Sequence, residues 1–325
     1  MSDDHYVART YLKHFANPSG LLRAYRKSDG KSFPCRPADV CFEPDGDLIP
    51  DFLSDPRYLG AFRAAFEPGW NSAIGALKAH RVDMTDKLQL AGYWAQLLVC
   101  TPGWRRVAVQ ISNHNARHTL EAQAALRERI GKPDRLLSEG VEALRDGTIT
   151  LETEPDFVRA QSATSVMKYA WALYHADMDV FETDDSHPFL TSDNPAAFED
   201  QGDIVGGHPP FRRYLPVTPN LCLSVDLTEY PDRYLKGPGD FTQEPKGTVR
   251  GGAIIPEFVD RINQTVARCA EDLVFTSGES ELVRDLVAQN SEFRVECEST
   301  RFPHGTGFII ANRTRVIKRQ TGGKG

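Results

Sequence analysis

The chain lacks any stretch approaching the roughly 18–20 consecutive apolar residues of a bilayer span, so no transmembrane helix is expected. No apolar run follows the opening Met1-Ser2-Asp3-Asp4, which argues against a secretory signal. No C-x-x-C pair occurs. The six cysteines, Cys35, Cys41, Cys100, Cys222, Cys269 and Cys297, are scattered, and most stand beside apolar residues. They read as reduced core thiols of a cytoplasmic protein rather than a disulfide frame or a zinc site. The absence of G-x-x-x-x-G-K-[ST] argues against a P-loop, and that of G-x-G-x-x-G against a Rossmann cofactor site. The missing G-x-S-x-G weakens a serine-hydrolase reading. There is no excess of positive charge either. A net charge of −7 disfavours sequence-independent binding to nucleic acid, which needs a basic surface.

What remains is ordinary globular material. The 325 residues are 40% hydrophobic and 26% charged, enough to build a sizeable core. Apolar positions at Val7, Ala8, Tyr11, Leu12 and Phe15 follow a helical spacing. Asp29-Gly30 marks a hairpin, because Gly tolerates the positive φ of a tight turn. A second hairpin is expected where Val40–Phe42 and Leu48-Ile49 flank Pro44-Asp45-Gly46. From Arg57 the pattern turns helical, with Pro68-Gly69 breaking the first pair of segments. Thr85 is expected to cap an apolar helix that ends at Thr101-Pro102-Gly103. Helices follow over about 105–130, 136–144 and 156–175.

After His175 short extended runs dominate, at 180–181, 189–190, 214–217 and 221–227. Helices from Pro256 and over 280–287, then a strand near 306–310, complete the pattern. Segregated helices and strands predict an α+β fold, with a mainly antiparallel sheet built largely from the C-terminal half. One domain is expected over 1–312, helix-rich to 177 and strand-rich from 178, with 313–325 a basic flexible tail.

Two polar segments stand out. His5-Tyr6-Val7-Ala8-Arg9-Thr10-Tyr11-Leu12 opens the chain, and Thr191-Ser192-Asp193-Asn194-Pro195 follows an apolar run past the middle. Beside a helix start, His5 meets positive dipole charge that favours anions and the neutral imidazole. That suits a general base, a metal ligand or a phosphate contact; a ring that merely caps the helix is the alternative. Ser192, Asp193 and Asn194 gather hydroxyl, carboxylate and amide at one strand end, to hold a metal or orient water. A plain Asx-turn would use the same residues.

Together the two segments resemble the hallmarks of a bacterial family of uncharacterised domains, with an N-terminal His-Tyr-Val-Pro-x-x-Tyr-Leu segment and a later Thr-Ser-Asp-Asn-Pro segment. Ala8 stands here where that family has Pro. Glu67 and Gln96 are similar to two further family positions, and Cys100-Thr101-Pro102 replaces an Arg-Thr-Pro form. If the family's Arg binds an anion, this chain does so differently or not at all, and Arg105 and Arg106 are the candidates to stand in for it. Gln96 is notable by itself, since an amide inside an apolar helix requires hydrogen-bond partners.

Weaker candidates are His114 with His118 at i and i+4, His187 beside Asp184 and Asp185, and His208 with Arg212 and Arg213. The expectation is an enzyme of hydrolase type, nuclease-like, acting on a phosphate-containing substrate, either a small molecule such as a nucleotide or a nucleic acid. His5, Glu67 and Asp193 are its catalytic residues, Tyr6, Arg9, Gln96, Ser192 and Asn194 contact substrate, and a divalent metal is an admissible cofactor. The contrasting expectation is a non-catalytic binding or regulatory module of a bacterial defence or stress system. No membrane partner is expected.

Overall fold

In the computed structural model the described residues are 3–49, 54–200, 212–226, 244–305 and 307–319. β1 (Asp3–His5) leads to a single helical turn, α1 (Arg9–Leu12), continued by a 3₁₀ turn over Lys13–Phe15. The helical spacing from Val7 is thus real but short, and it buries Tyr11, Leu12 and Phe15. β2 (Leu22–Arg26) and β3 (Ser32–Cys35) form the hairpin expected around Asp29-Gly30, and Gly30 takes a φ of 69°.

The second expected hairpin does not form. β4 (Phe42–Pro44) pairs instead with β1, aligning His5 with Phe42 and Asp4 with Glu43. Pro44 has no N–H to donate and Asp45 adopts a left-handed φ of 48°, so the chain turns away before Leu48.

The helical region follows as α2 (Tyr58–Phe66), α3 (Trp70–Lys78), α4 (Met84–Val99), α5 (Pro102–Arg129), α6 (Arg135–Asp146) and α7 (Pro155–His175). Asp83, not Thr85, caps α4: it accepts from the Asp86 N–H while Asp86 accepts from the Asp83 N–H, a reciprocal capping box. α5 starts at Pro102, earlier than expected, because proline at the first helical position has no hydrogen bond to lose. α4 is buried from Leu90 to Val99 and packs along α7, forming the centre of the molecule. Gly92 lets α2 approach: a Cβ there would lie 2.2 Å from the Phe66 ring.

The rest of the chain supplies β5 (Met178–Glu182), β6 (Thr191–Ser192), β7 (Ala197–Phe198), β8 (Arg212–Thr218), β9 (Leu221–Asp226) and β10 (Val249–Ala253). After them come α8 (Pro256–Cys269), β11 (Leu273–Thr276), α9 (Glu281–Gln289), β12 (Phe293–His304) and β13 (Gly307–Lys318). The fold is α+β, with strands mainly antiparallel. One sheet has the order β10-β5-β9-β8-β7, and only β10–β5 is parallel. The other, β3-β2-β11-β6, joins strands from the two ends of the chain. Because β6 edges one sheet and β7 edges the other, Thr191–Phe198 carries the chain from sheet to sheet. β13 continues to Lys318 and takes Arg313, Arg315 and Lys318 into a hairpin with β12, where a basic tail from residue 313 was expected. No helix among the described residues is long and apolar enough to cross a membrane.

Candidate active site

The two polar segments meet. Tyr11 Oη lies 2.7 Å from Thr191 Oγ1 and donates to the Pro216 carbonyl at 2.5 Å, all of it buried. The meeting is made by Tyr11 and Thr191, and Tyr6 lies within reach of the Asp193 charge.

From Thr191 to Asn194 each side chain reaches a different neighbour. Ser192 Oγ accepts from the Asn194 N–H at 3.2 Å. Asp193, 3% exposed, accepts from the backbone N–H groups of Glu271, Asp272 and Leu273 at 2.8–2.9 Å. Burial pushes its carboxyl up to about 6, while those three donors favour the anion, so the group is ionised at neutral pH. Asn194 accepts from Thr101 Oγ1 at 3.0 Å and donates to the Cys269 carbonyl at 2.8 Å. The segment therefore ties the start of α5 and the α8–β11 turn to the edges of both sheets.

The N-terminal segment builds a second environment. His5 is half-buried, with Nε2 3.3 Å from the Ala38 carbonyl and its ring 5.5 Å from that of Phe42. Burial lowers its pKa, and the positive charges of Arg9 and Arg63 add to this against the carbonyls of Ala38 and Asp3. The imidazole is neutral at pH 7. Tyr6 donates its N–H to the Cys41 carbonyl at 3.0 Å, and its hydroxyl pairs with the Cys41 thiol within reach of the Asp193 and Glu43 charges. Cys41 itself has a φ of 58°, a left-handed strain of about 1–3 kcal/mol of the kind that clusters at functional sites.

Glu67, in the turn between α2 and α3, accepts from Thr10 Oγ1. Arg9 is exposed and makes no ion pair among the described residues. Gln96 is 1% exposed, and neither its Oε1 nor its Nε2 has a hydrogen-bond partner among the described residues. Tyr93, Gln96 and Cys100 share one face of α4 by their i, i+3, i+7 spacing. Tyr93 lies within reach of the Glu67 and Arg63 charges, and Cys100 within reach of Arg63, Arg105 and Asp47. Arg63 pairs with buried Asp47 at 2.9 Å, but its Nε, like that of Arg105, is buried without a partner. Arg63 and Arg105, each with one unsatisfied donor, thus lie within reach of residues that flank Gln96 in the chain.

Sequence reasoning missed Arg63, Asp47 and Cys41. The signal for Arg63 was present, since it shares a helical face with buried Leu59 and Phe62 on α2. Arg105 instead pairs with Glu43, and Arg106 with Glu271.

The weaker candidates resolve individually. His118 is buried against Glu121, Ser299 and Arg301, whereas His114 lies 3.7 Å from the Cys297 sulfur. His187 sits in a turn where Asp184 accepts from the Ser186 N–H at 2.9 Å. His208 lies outside the described residues, and Arg212 and Arg213 belong to β8. Among the described residues no three His, Cys, Asp or Glu side chains are arranged to hold a metal ion.

No curated protein and no solved structure matches the chain. Residues 4–280 match DUF4238, described as a protein of unknown function, and this span contains His5, Glu67, Gln96 and Asp193. The chain belongs to the DUF4238 family.

Proposed function

We propose that the protein is a hydrolase-type enzyme acting on an anionic, phosphate-containing substrate at the N-terminal site. The observation that carries this reading is the buried, unpartnered amide of Gln96, flanked along its helix by Tyr93 and Cys100, which lie within reach of Arg63 and, for Cys100, of Arg105. Each buried polar group left unpaired costs about 1–3 kcal/mol, and a substrate that satisfied these would recover that cost. Arg9, which has no ion pair among the described residues, suits the anionic group of a substrate, and Arg63, paired with Asp47, adds its unsatisfied Nε. His5, kept neutral by burial and by those same cations, serves as general base toward water, with Glu67 a second carboxylate held by Thr10. Gln96 and Tyr6 hydrogen-bond the substrate. Ser192, Asp193 and Asn194 position the site: the Asp193 carboxylate is already occupied by three N–H groups and acts through the α8–β11 turn.

The same saturation of Thr191–Asn194 favours a second reading, a binding module whose motifs are structural. Turnover separates the two. Across a panel of phosphomonoesters, phosphodiesters and nucleotides, His5→Ala should abolish the activity of the wild type while leaving the melting temperature nearly unchanged. Turnover by His5→Ala equal to wild type, or none by the wild type on any member, would contradict the enzyme reading.

A further inference from the structure

α8 buries Val259, Ile262, Val266 and Ala267. Its opposite stripe, Arg261, Gln264, Thr265 and Arg268, recurs at i, i+3, i+4, i+7 and would ordinarily face open solvent. Here it is partly covered, although Arg261 stays exposed. Phe293 at the start of β12 and Arg315 and Val316 of β13 lie over it, with Phe198, Glu199 and Asp200 as a third wall, lining an open cavity of about 420 Å³.

Two of the three arginines in this cavity are neutralised. Arg261 Nε lies 2.6 Å from Glu199, and Arg315 Nε lies 2.8 Å from Asp200 and Nη1 3.2 Å from Glu298. Arg268 is different. Its guanidinium lies over the Phe293 ring, 4.8 Å from the centroid, and its Nε donates to Asn290 Oδ1 at 2.9 Å. Among the described residues it has no carboxylate partner and its two Nη groups make no hydrogen bond. The stack and the Asn290 bond fix the plane of the fork in advance, which lowers the entropy lost on binding. Gln264, one turn earlier, has an amide that makes no hydrogen bond among the described residues.

We infer that this cavity is a binding site for a compact phosphate dianion, free or as a phosphate monoester. The two Nη groups of Arg268 and the Gln264 amide supply three donors, matching the three terminal oxygens of a phosphate, and the fork geometry is that of bidentate oxyanion recognition. Counting Glu298, the three arginines at this cavity face three carboxylates, and Arg268 is the one of them with no carboxylate partner among the described residues. The site is independent of the one around Gln96. Its roof also comes from residues beyond the 4–280 span shared with the family, so it is a property of this chain's C-terminal hairpin.

The test is thermal melting of the full chain in inorganic phosphate against chloride at equal ionic strength, since a ligand that binds only the folded state raises its melting temperature. Phosphate should raise the wild-type melting temperature. The rise should persist in Arg9→Gln, shrink in Gln264→Ala, and shrink most in Arg268→Gln, whose affinity at this cavity falls about tenfold or more with the bidentate contact. If Arg268→Gln does not fold, Gln264→Ala decides alone. No rise in the wild type, a rise lost in Arg9→Gln, or a rise unchanged in Gln264→Ala would each overturn the assignment.

Discussion

At the scale of single residues, the two conspicuous motifs divide their labour in a way that side-chain chemistry alone did not reveal. Asp193 carries the carboxylate of a catalytic group, yet its oxygens hold the N–H groups of residues 271–273. Residue type was legible in the sequence; partners 78–80 positions away were not. Asp193→Asn removes one acceptor oxygen and faces an NH₂ toward backbone donors. It should cost about 1–3 kcal/mol for each buried N–H left unpaired, visible as a lower urea midpoint at unchanged slope. An unchanged midpoint would mean the turn does not depend on this carboxylate. His5 works in the opposite direction. Burial and two arginines lower its pKa, so protonating it disfavours the folded state. Its contribution to stability, and the activity of a His5 base, are present above the ordinary imidazole range and decline as pH falls through it.

At the scale of elements, two buried lysines hold helix C-termini. Lys27, just past β2, donates to the carbonyls of Ala267 and Ala270 at 2.8–2.9 Å and of Phe293 at 2.7 Å, closing the end of α8. Lys87 of α4 donates to the Ala176 carbonyl at 2.7 Å, just past the end of α7, and to that of Gly247. Cations suit helix C-termini because the last carbonyls lack intrahelical donors. Burial lowers both lysines to about 8. An unfolded lysine titrates near 10.4, so between about pH 8 and 10.4 the unfolded chain holds protons the folded chain has shed, and stability from these groups rises with pH. Lys27→Met should lose about 1–3 kcal/mol at pH 7 by orphaning buried carbonyls, and should flatten the rise of the urea midpoint from pH 8 to 10. A variant as stable as wild type with an unaltered pH slope would contradict this.

The elements also show where sequence periodicity succeeds. α2 to α7 were legible because each buries a regular apolar stripe or carries a proline or capping start. The strands missed include β7 (Ala197–Phe198) and β11 (Leu273–Thr276), which are too short to show a period. A second group is β1, β10 and β12, with sequences Asp3-Asp4-His5, Val249-Arg250-Gly251-Gly252-Ala253 and Phe293–His304. These are polar, glycine-bearing or exposed, and they exist because a partner strand is present rather than through local preference. The basic residues after 312 read as a tail for the same reason. Nothing local in Arg313 or Arg315 announces the twelve-residue register with β12.

At the scale of the whole molecule, the sheet that pairs β2 with β11 joins the first 26 residues to residues 273–276. One buried core runs from Val7 through the central helices to Phe275. The N-terminal site is built on that weave, with its strand on β4, its arginine on α2 and its amide on the innermost helix. Global stability and the site are therefore linked through Gln96, a polar residue at the centre of an apolar helix. The measurement that tests this most directly is paired melting and turnover of Gln96→Met, which keeps the volume and removes two unsatisfied polar atoms. The melting temperature should rise by a few degrees while turnover on the phosphate panel falls at least about tenfold. A variant that melts lower than wild type and keeps full turnover would show that Gln96 serves the fold alone.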